Sequence, residues 1–315
     1  MSSRSVALHA AHPPARRLRC LACVATAGVP AVQRSWHTTR DGARLEVLSA
    51  LASPSGRLTP PLLFVHGSFH GAWCWHEHWL RFFQSLGFDC HALSLRGHGQ
   101  SDAPAHDEVA GTLSSHAADV LSFARTLPSS PVLVGHSFGG LCVQEAISSR
   151  AAITPLVAGA ALLCSVPPAG NSAMALRMLF STPLRAARVT YAMVSRAFEQ
   201  DAALCRATFF SESLGEEQLV RYQAQMAGSG KTQLLDLRTL NASLPVPPPP
   251  PGLPVLVLGA ESDAVVDREG VEETSRWVKT KAVWVPGAHD IMLDADWHSA
   301  AEALRGWLNT VNTIP

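Results

Sequence analysis

The chain has 315 residues, 47% of them hydrophobic and 16% charged, which is enough apolar side chain for a sizeable core and argues against global disorder. Lys plus Arg and Asp plus Glu stand at 25 each, so net charge gives no reason to expect nucleic acid or an anionic membrane surface as a partner. The longest apolar stretch, 151–166, is interrupted by Thr154 and Pro155 and falls short of the roughly 20 residues of a membrane span.

The balanced total hides an asymmetry. Residues 1–40 contain Arg4, Arg16, Arg17, Arg19, Arg34 and Arg40 and no acid, leaving 19 basic against 25 acidic residues in the remainder. An Arg-rich, acid-free segment with Ser and Ala and no continuous apolar core has the composition of an organelle transit peptide. The expectation is a leader or disordered extension over 1–40, cleaved between Cys20 and Trp36, with the chloroplast favoured over the mitochondrion. Without such a leader the location would be cytoplasmic.

From residue 43 the pattern is strand, turn, helix, repeated. The apolar runs at 43–52, 61–65, 88–95, 131–134 and 157–166 read as strands, each bounded by Gly, Pro or polar residues. The stretches 116–127 and 138–148 carry helical spacing. The texture changes over 171–240, where Ala, Leu, Met, Arg and Gln dominate, no strand is evident, and several amphipathic helices are expected. Proline fills all of 245–251 except Val246, the mark of a stiff extended linker. Strands at 254–259 and 282–285 then alternate with helices at 268–278 and 296–311. Continuous apolar strands each followed by a helix imply an α/β fold with a mostly parallel sheet covered on both faces. The expected organisation is one domain over 41–315, with an inserted helical cap at about 168–244 and a proline-rich linker at 245–254.

Gly135-His136-Ser137-Phe138-Gly139 follows a strand and opens a helix, the context of a G-x-S-x-G nucleophile elbow. The flanking glycines let strand and helix close on each other around a strained serine. A serine hydroxyl needs a base, and the base needs a carboxylate to orient it. His289 lies just past the last expected strand and Asp263 just past the penultimate one, so both sit at the carboxyl edge of the sheet. The chain order Ser137, Asp263, His289 is the order that such an elbow implies. Glu261 and Asp267 are rivals for the acid, whereas Asp290 would struggle to reach the ring of its own neighbour. The backbone N–H groups of Ser68, after the strand ending at Val65, and Phe138, at the helix start, are the expected oxyanion hole. His66 and His136 read as braces for the loop and elbow.

These motifs resemble the α/β-hydrolase fold, within its large serine-hydrolase group with a helical cap, over residues 43–312. Arg96-Gly-His-Gly-Gln-Ser101 belongs to that likeness. His66-Gly-Ser-Phe-His-Gly-Ala-Trp-Cys-Trp75 is similar to the corresponding loop of plant methylesterases and hydroxynitrile lyases. Two departures stand out. The lyases carry lysine directly after the catalytic histidine, where this chain has Asp290, and the plant esterases usually lack the Arg-Gly-His-Gly loop. His289-Asp-Ile-Met-Leu293 instead resembles the ending of bacterial-type members. Dehalogenases and epoxide hydrolases of this fold use an aspartate nucleophile, and position 137 is serine. The resemblance implies a serine hydrolase that cleaves the carboxylic ester of a small or lipid-like substrate through an acyl-enzyme on Ser137, with no metal or organic cofactor, as a monomer or homodimer. Two other readings stand beside it: a lyase or C–C-bond hydrolase using the same triad as acid and base, and a non-catalytic small-ligand receptor.

Other clusters carry less. Cys20 and Cys23 have metal or redox spacing without a matching second pair, and no disulfide framework is expected among the seven cysteines. His70, His76, His78 and Glu77 fit no metal-ligand pattern. Trp73, Trp75 and Trp79 suit packing of the loop. Met174, Leu176, Met178, Leu179 and Phe180 could equally line an acyl pocket or form the packing face of the cap.

Overall fold

A computed structural model describes residues 30–53, 59–103, 109–149, 156–230 and 232–311. Its main sheet has eight strands in the order β1-β2-β4-β3-β6-β7-β9-β10, where β1 is Gln33–Thr38, β2 Arg44–Ala50, β3 Leu62–Val65, β4 Cys90–Leu93, β6 Val132–His136, β7 Gly159–Leu163, β9 Val255–Ala260 and β10 Val283–Val285. Pairing is parallel from β4 to β10 and antiparallel at the β1–β2 and β2–β4 joins. This is the mostly parallel α/β sheet expected from the sequence.

The central strands are buried throughout and mostly apolar because both of their faces are covered. In β3, Leu62 and Phe64 join one core and Leu63 and Val65 the other. In β6, Val132 and Val134 likewise face one side and Leu133 the opposite side. Period-two alternation of side chains therefore builds two hydrophobic layers from one run of sequence. Trp75 and Trp79 are fully buried in the first layer against Phe64, with ring centroids 5.0 and 6.1 Å away, so these two tryptophans do pack as expected.

Three strands depart from the sequence reading. β1 lies inside the 1–40 segment set apart as a leader, and pairs along its whole length with β2 through a turn closed by the Thr39 N–H to Ala43 carbonyl bond. The sheet thus includes residues from Gln33 onward. Cys20, Cys23 and the rest of 1–29 lie outside the described residues. The others are β5, Val109–Gly111, where no strand is expected, and β8, Gln233–Leu235, inside the stretch expected to be wholly helical; the two pair in parallel as a separate two-stranded sheet. Three residues are too few for a periodic signal.

Between β7 and β9 the chain forms helices Ser172–Ser181, Pro183–Val194, Ala202–Phe209, Glu216–Gly228 and Leu237–Ser243. Asp201 caps the third of these by accepting the Leu204 N–H at 2.9 Å. Met174 is buried and packs on the sheet core, but Leu176, Leu179 and Phe180 are exposed, so the apolar stretch of the first cap helix is divided between core and solvent. The five cysteines among the described residues are buried free thiols. Among the described residues no helix is long and apolar enough to cross a membrane.

Truncating Trp79 to alanine would remove a fully buried indole from the larger core layer. The expected loss is about 3–5 kcal/mol, read as a lowered urea midpoint with an unchanged slope.

Candidate active site

The site is built where β6 turns into helix Ser137–Ser148. Ser137 occupies the left-handed region at φ 54°, an unusual conformation for a residue with a side chain. Two glycines permit the turn. A Cβ on Gly139 would run into the His66 carbonyl oxygen and come within 2.6 Å of that of Val65, and one on Gly67 would lie 2.8 Å from Ser137 Cβ. The elbow and the loop after β3 are therefore pressed together at bare backbone.

Ser137 Oγ lies 3.0 Å from His289 Nε2, and His289 Nδ1 lies 2.9 and 3.0 Å from the two Asp263 carboxylate oxygens. Since Nδ1 faces a carboxylate, it carries the ring proton, and Nε2 is left to accept from the serine hydroxyl. All three side chains are nearly inaccessible. Asp263 is itself held in place, because its Oδ1 accepts the N–H groups of Val265 and Val266 at 2.7 and 2.9 Å. Burial drives the His289 ring downward, but the Asp263 charge and hydrogen bond, with Asp290 more remotely, raise it above 6.5 on balance. The three residues singled out from sequence thus form one continuous hydrogen-bonded run.

The rivals separate cleanly. Glu261 is exposed, and Asp267 caps helix Arg268–Trp277 and pairs with Arg177 at 2.7 and 2.8 Å. Asp290 is engaged elsewhere, its Oδ2 lying 2.9 Å from His70 Nε2 and its Oδ1 3.7 Å from His136 Nε2. The two bracing histidines also differ from the triad member. His66 Nε2 accepts the Leu95 N–H at 2.9 Å, and its Nδ1–H donates to the Gly67 carbonyl at 2.7 Å. His136 Nε2–H donates to the His289 carbonyl at 2.9 Å, and burial pushes its ring down to about 3. His78 hydrogen-bonds Tyr222 and His76 is exposed, so the His70, His76, His78 and Glu77 group is dispersed.

Cap residues close the site. Phe198 and Phe209 meet Phe69 with centroids 4.9 and 6.4 Å away, and Phe209 lies 6.4 Å from the His289 ring. Arg185 donates to the Asp263 carbonyl, so a cap helix is tied to the loop carrying the acid. An open cleft of about 920 Å³ lies beside the triad loops, with Arg185 and Arg188 on the cap side and Ala264 and Ala288 on the other. The sequence reading missed these cap arginines, because isolated arginines in an amphipathic block carry no positional signal.

A family model described as the alpha/beta hydrolase family matches residues 62–303. The chain belongs to the alpha/beta hydrolase family. Among curated relatives of this alpha/beta hydrolase, methylesterase 10 of Arabidopsis thaliana is 38% identical over 84 residues, covering 25% of this chain and 28% of that protein. Another Arabidopsis thaliana relative, bearing the name methylesterase 15, chloroplastic, is 33% identical over 94 residues, covering 29% of this chain and 20% of its own length. The chain thus spans less than a third of the length of these relatives. Among solved structures, a thermophilic esterase from Thermogutta terrifontis superposes with a TM-score of 0.65 at 20% identity, over 89% of this chain and 100% of that one. At that identity the likeness speaks for the fold of this alpha/beta hydrolase.

Replacing Gly139 with alanine would force the elbow and the β3 loop apart against backbone that has no slack. The expected result is a folded protein whose serine no longer reacts with a fluorophosphonate probe, or a loss of more than about 3 kcal/mol of stability. Unchanged labelling together with unchanged thermal unfolding would show that the close approach has no consequence.

Proposed function

We propose that this alpha/beta hydrolase cleaves a carboxylic ester of a small or lipid-like molecule. The observation that carries the reading is the buried run from Ser137 Oγ through His289 to Asp263. Ser137 attacks the acyl carbon as its proton passes to His289 Nε2. The imidazolium so formed is stabilised by Asp263, which also fixes the tautomer. The N–H groups of Ser68 and Phe138 receive the negative charge that develops on the carbonyl oxygen, each donor of this kind being worth about 2.7–4 kcal/mol. His289 then protonates the leaving alcohol, and later takes a proton from the water that releases the acid.

Methylesterase names among the relatives support the ester class. Against lyase chemistry stands the position after His289, where Asp290 is fully buried against His70 and so offers the substrate no cationic group. The acid-free, Arg-rich composition of 1–40 and the chloroplastic relative support a chloroplast location.

Ser137→Ala should abolish hydrolysis of p-nitrophenyl esters while leaving thermal unfolding within a few degrees of the parent. Asp263→Asn should lower kcat by about 10⁴-fold, the loss seen when a triad histidine is held in the wrong tautomer. His289 acts only when neutral, and its folded pKa is raised. The acid limb of kcat/KM should therefore be half-maximal above pH 6.5, with activity falling as pH drops through that point. Retained turnover in the Ser137 variant would overturn the assignment.

A further inference from the structure

Directly behind the triad sits a second His–Asp pair that the reaction described above does not use. His70 comes from the loop after β3, and Asp290 follows His289, 220 positions away in sequence. Both side chains are inaccessible to solvent, at 1% and 0% exposure. His70 lies on Trp73, with centroids 5.4 Å apart and planes inclined by 21°, and its edge meets Phe209 of the cap.

Hydrogen-bond arithmetic at His70 is restrictive. Its Nδ1 lies 2.7 Å from the Ser68 carbonyl oxygen and its Nε2 lies 2.9 Å from Asp290 Oδ2. A carbonyl can only accept, and so can a carboxylate. The ring therefore donates Nδ1–H to the Ser68 carbonyl, and one proton is shared between Nε2 and Asp290 Oδ2. Burial pushes the Asp290 carboxyl up, yet its contact with His70 brings it below its ordinary value on balance. Asp290 Oδ1 lies 3.7 Å from His136 Nε2, too far for a hydrogen bond, so His70 is the side chain that holds this carboxyl group among the described residues. The pair is thus a compact buried link between the loop after β3 and the loop that carries His289.

Its position gives it a task. The Ser68 carbonyl that His70 holds belongs to the peptide leading into Phe69, a residue with a side chain at φ 67°. That turn is disfavoured without an external tether. Ser68 N–H, on the adjoining peptide, is one of the two oxyanion donors proposed above. Asp290, whose own N–H donates to the Phe209 carbonyl at 3.0 Å, joins the tether to the loop that carries His289.

We propose that His70, tied to Asp290 through Nε2 and to the Ser68 carbonyl through Nδ1, is a positioning residue that clamps the Ser68–Phe69 turn and keeps Ser68 N–H aimed at the oxyanion. The proposal rests on the esterase reading for its kinetic consequence but not for the tether itself. Releasing the clamp lets the Phe69 turn relax toward extended backbone and swings the Ser68 donor out of line, which weakens transition-state binding more than ground-state binding.

The test has two arms on the full chain. In the first, amide hydrogen exchange at the Ser68 and Phe69 N–H groups is followed by NMR in the parent and in His70→Leu. Exchange roughly 10-fold faster or more at these two amides in the variant, with the amides of β3 and β6 unchanged, is the expected result. Equal exchange in parent and variant overturns the proposal whatever the enzyme catalyses. In the second arm, ester hydrolysis by His70→Leu is normalised to serine titrated with a fluorophosphonate, so that unfolded molecules do not count. The expectation is a kcat lower by roughly 10- to 100-fold with KM within about twofold of the parent, the scale of losses for supporting residues one shell out. An unchanged kcat per titrated serine overturns it. Should His70→Leu fail to fold, the same two measurements on Asp290→Ala decide the matter. If neither the parent nor any variant labels or turns over, the esterase reading fails while the exchange arm still judges the clamp.

Discussion

A serine with a left-handed backbone, wedged between a strand and a helix, is the constraint on which the site is built. At φ 54° Ser137 is accommodated because Gly135 and Gly139 let strand, helix and the loop after β3 close at bare backbone, and Gly67 leaves room for the Ser137 Cβ. The cost of that conformation is borne by the sheet. β6 lies between β3 and β7 with every residue buried, so the elbow cannot relax without disturbing both core layers. The same compression presses the loop after β3 against the elbow, where a Cβ on Gly67 would lie 2.8 Å from that of Ser137.

Burial then sorts the histidines by their partners. His66, His136 and His289 are all inaccessible, and burial alone lowers each ring. Only His289 faces a carboxylate in direct contact at Nδ1 within the triad, and it alone of these three rises above its ordinary value. His66 and His136 direct one N–H each at a backbone carbonyl and stay neutral, fixing a loop without adding charge beside the nucleophile. The His70–Asp290 pair ties the loop after β3 to the loop that carries His289, so the rear wall of the site is held from both sides. The cap contributes through Phe198, Phe209 and Arg185, which meet the triad loops from above.

Much of this was legible in the sequence because the decisive signals are local. The elbow announces itself within five residues, and the triad order follows from where the strands end. The sheet was legible too, since apolar runs such as Leu62–Val65 and the Val132, Leu133 and Val134 stretch have no polar interruption. Features that depend on long-range pairing were not. β1 has mostly exposed side chains and sits in an Arg-rich stretch, so its strand character comes from pairing with β2 and leaves no burial pattern to read. β8 is three residues long and exists because β5 offers it a partner. His70 looked like one histidine in a crowded loop, and its meaning lies in Asp290, far along the chain. The exposure of Leu176, Leu179 and Phe180 was equally out of reach, because helical spacing marks an apolar stretch without saying what covers it.

The central claim is that Ser137 becomes covalently acylated during turnover. The measurement that tests it most directly is acid quenching of the enzyme while it hydrolyses p-nitrophenyl butanoate, followed by intact mass and peptide mapping. The account predicts a single butanoyl group on the peptide containing Ser137, formed in a burst and lost on further incubation. Turnover with no adduct, or an adduct on any other residue, would contradict it.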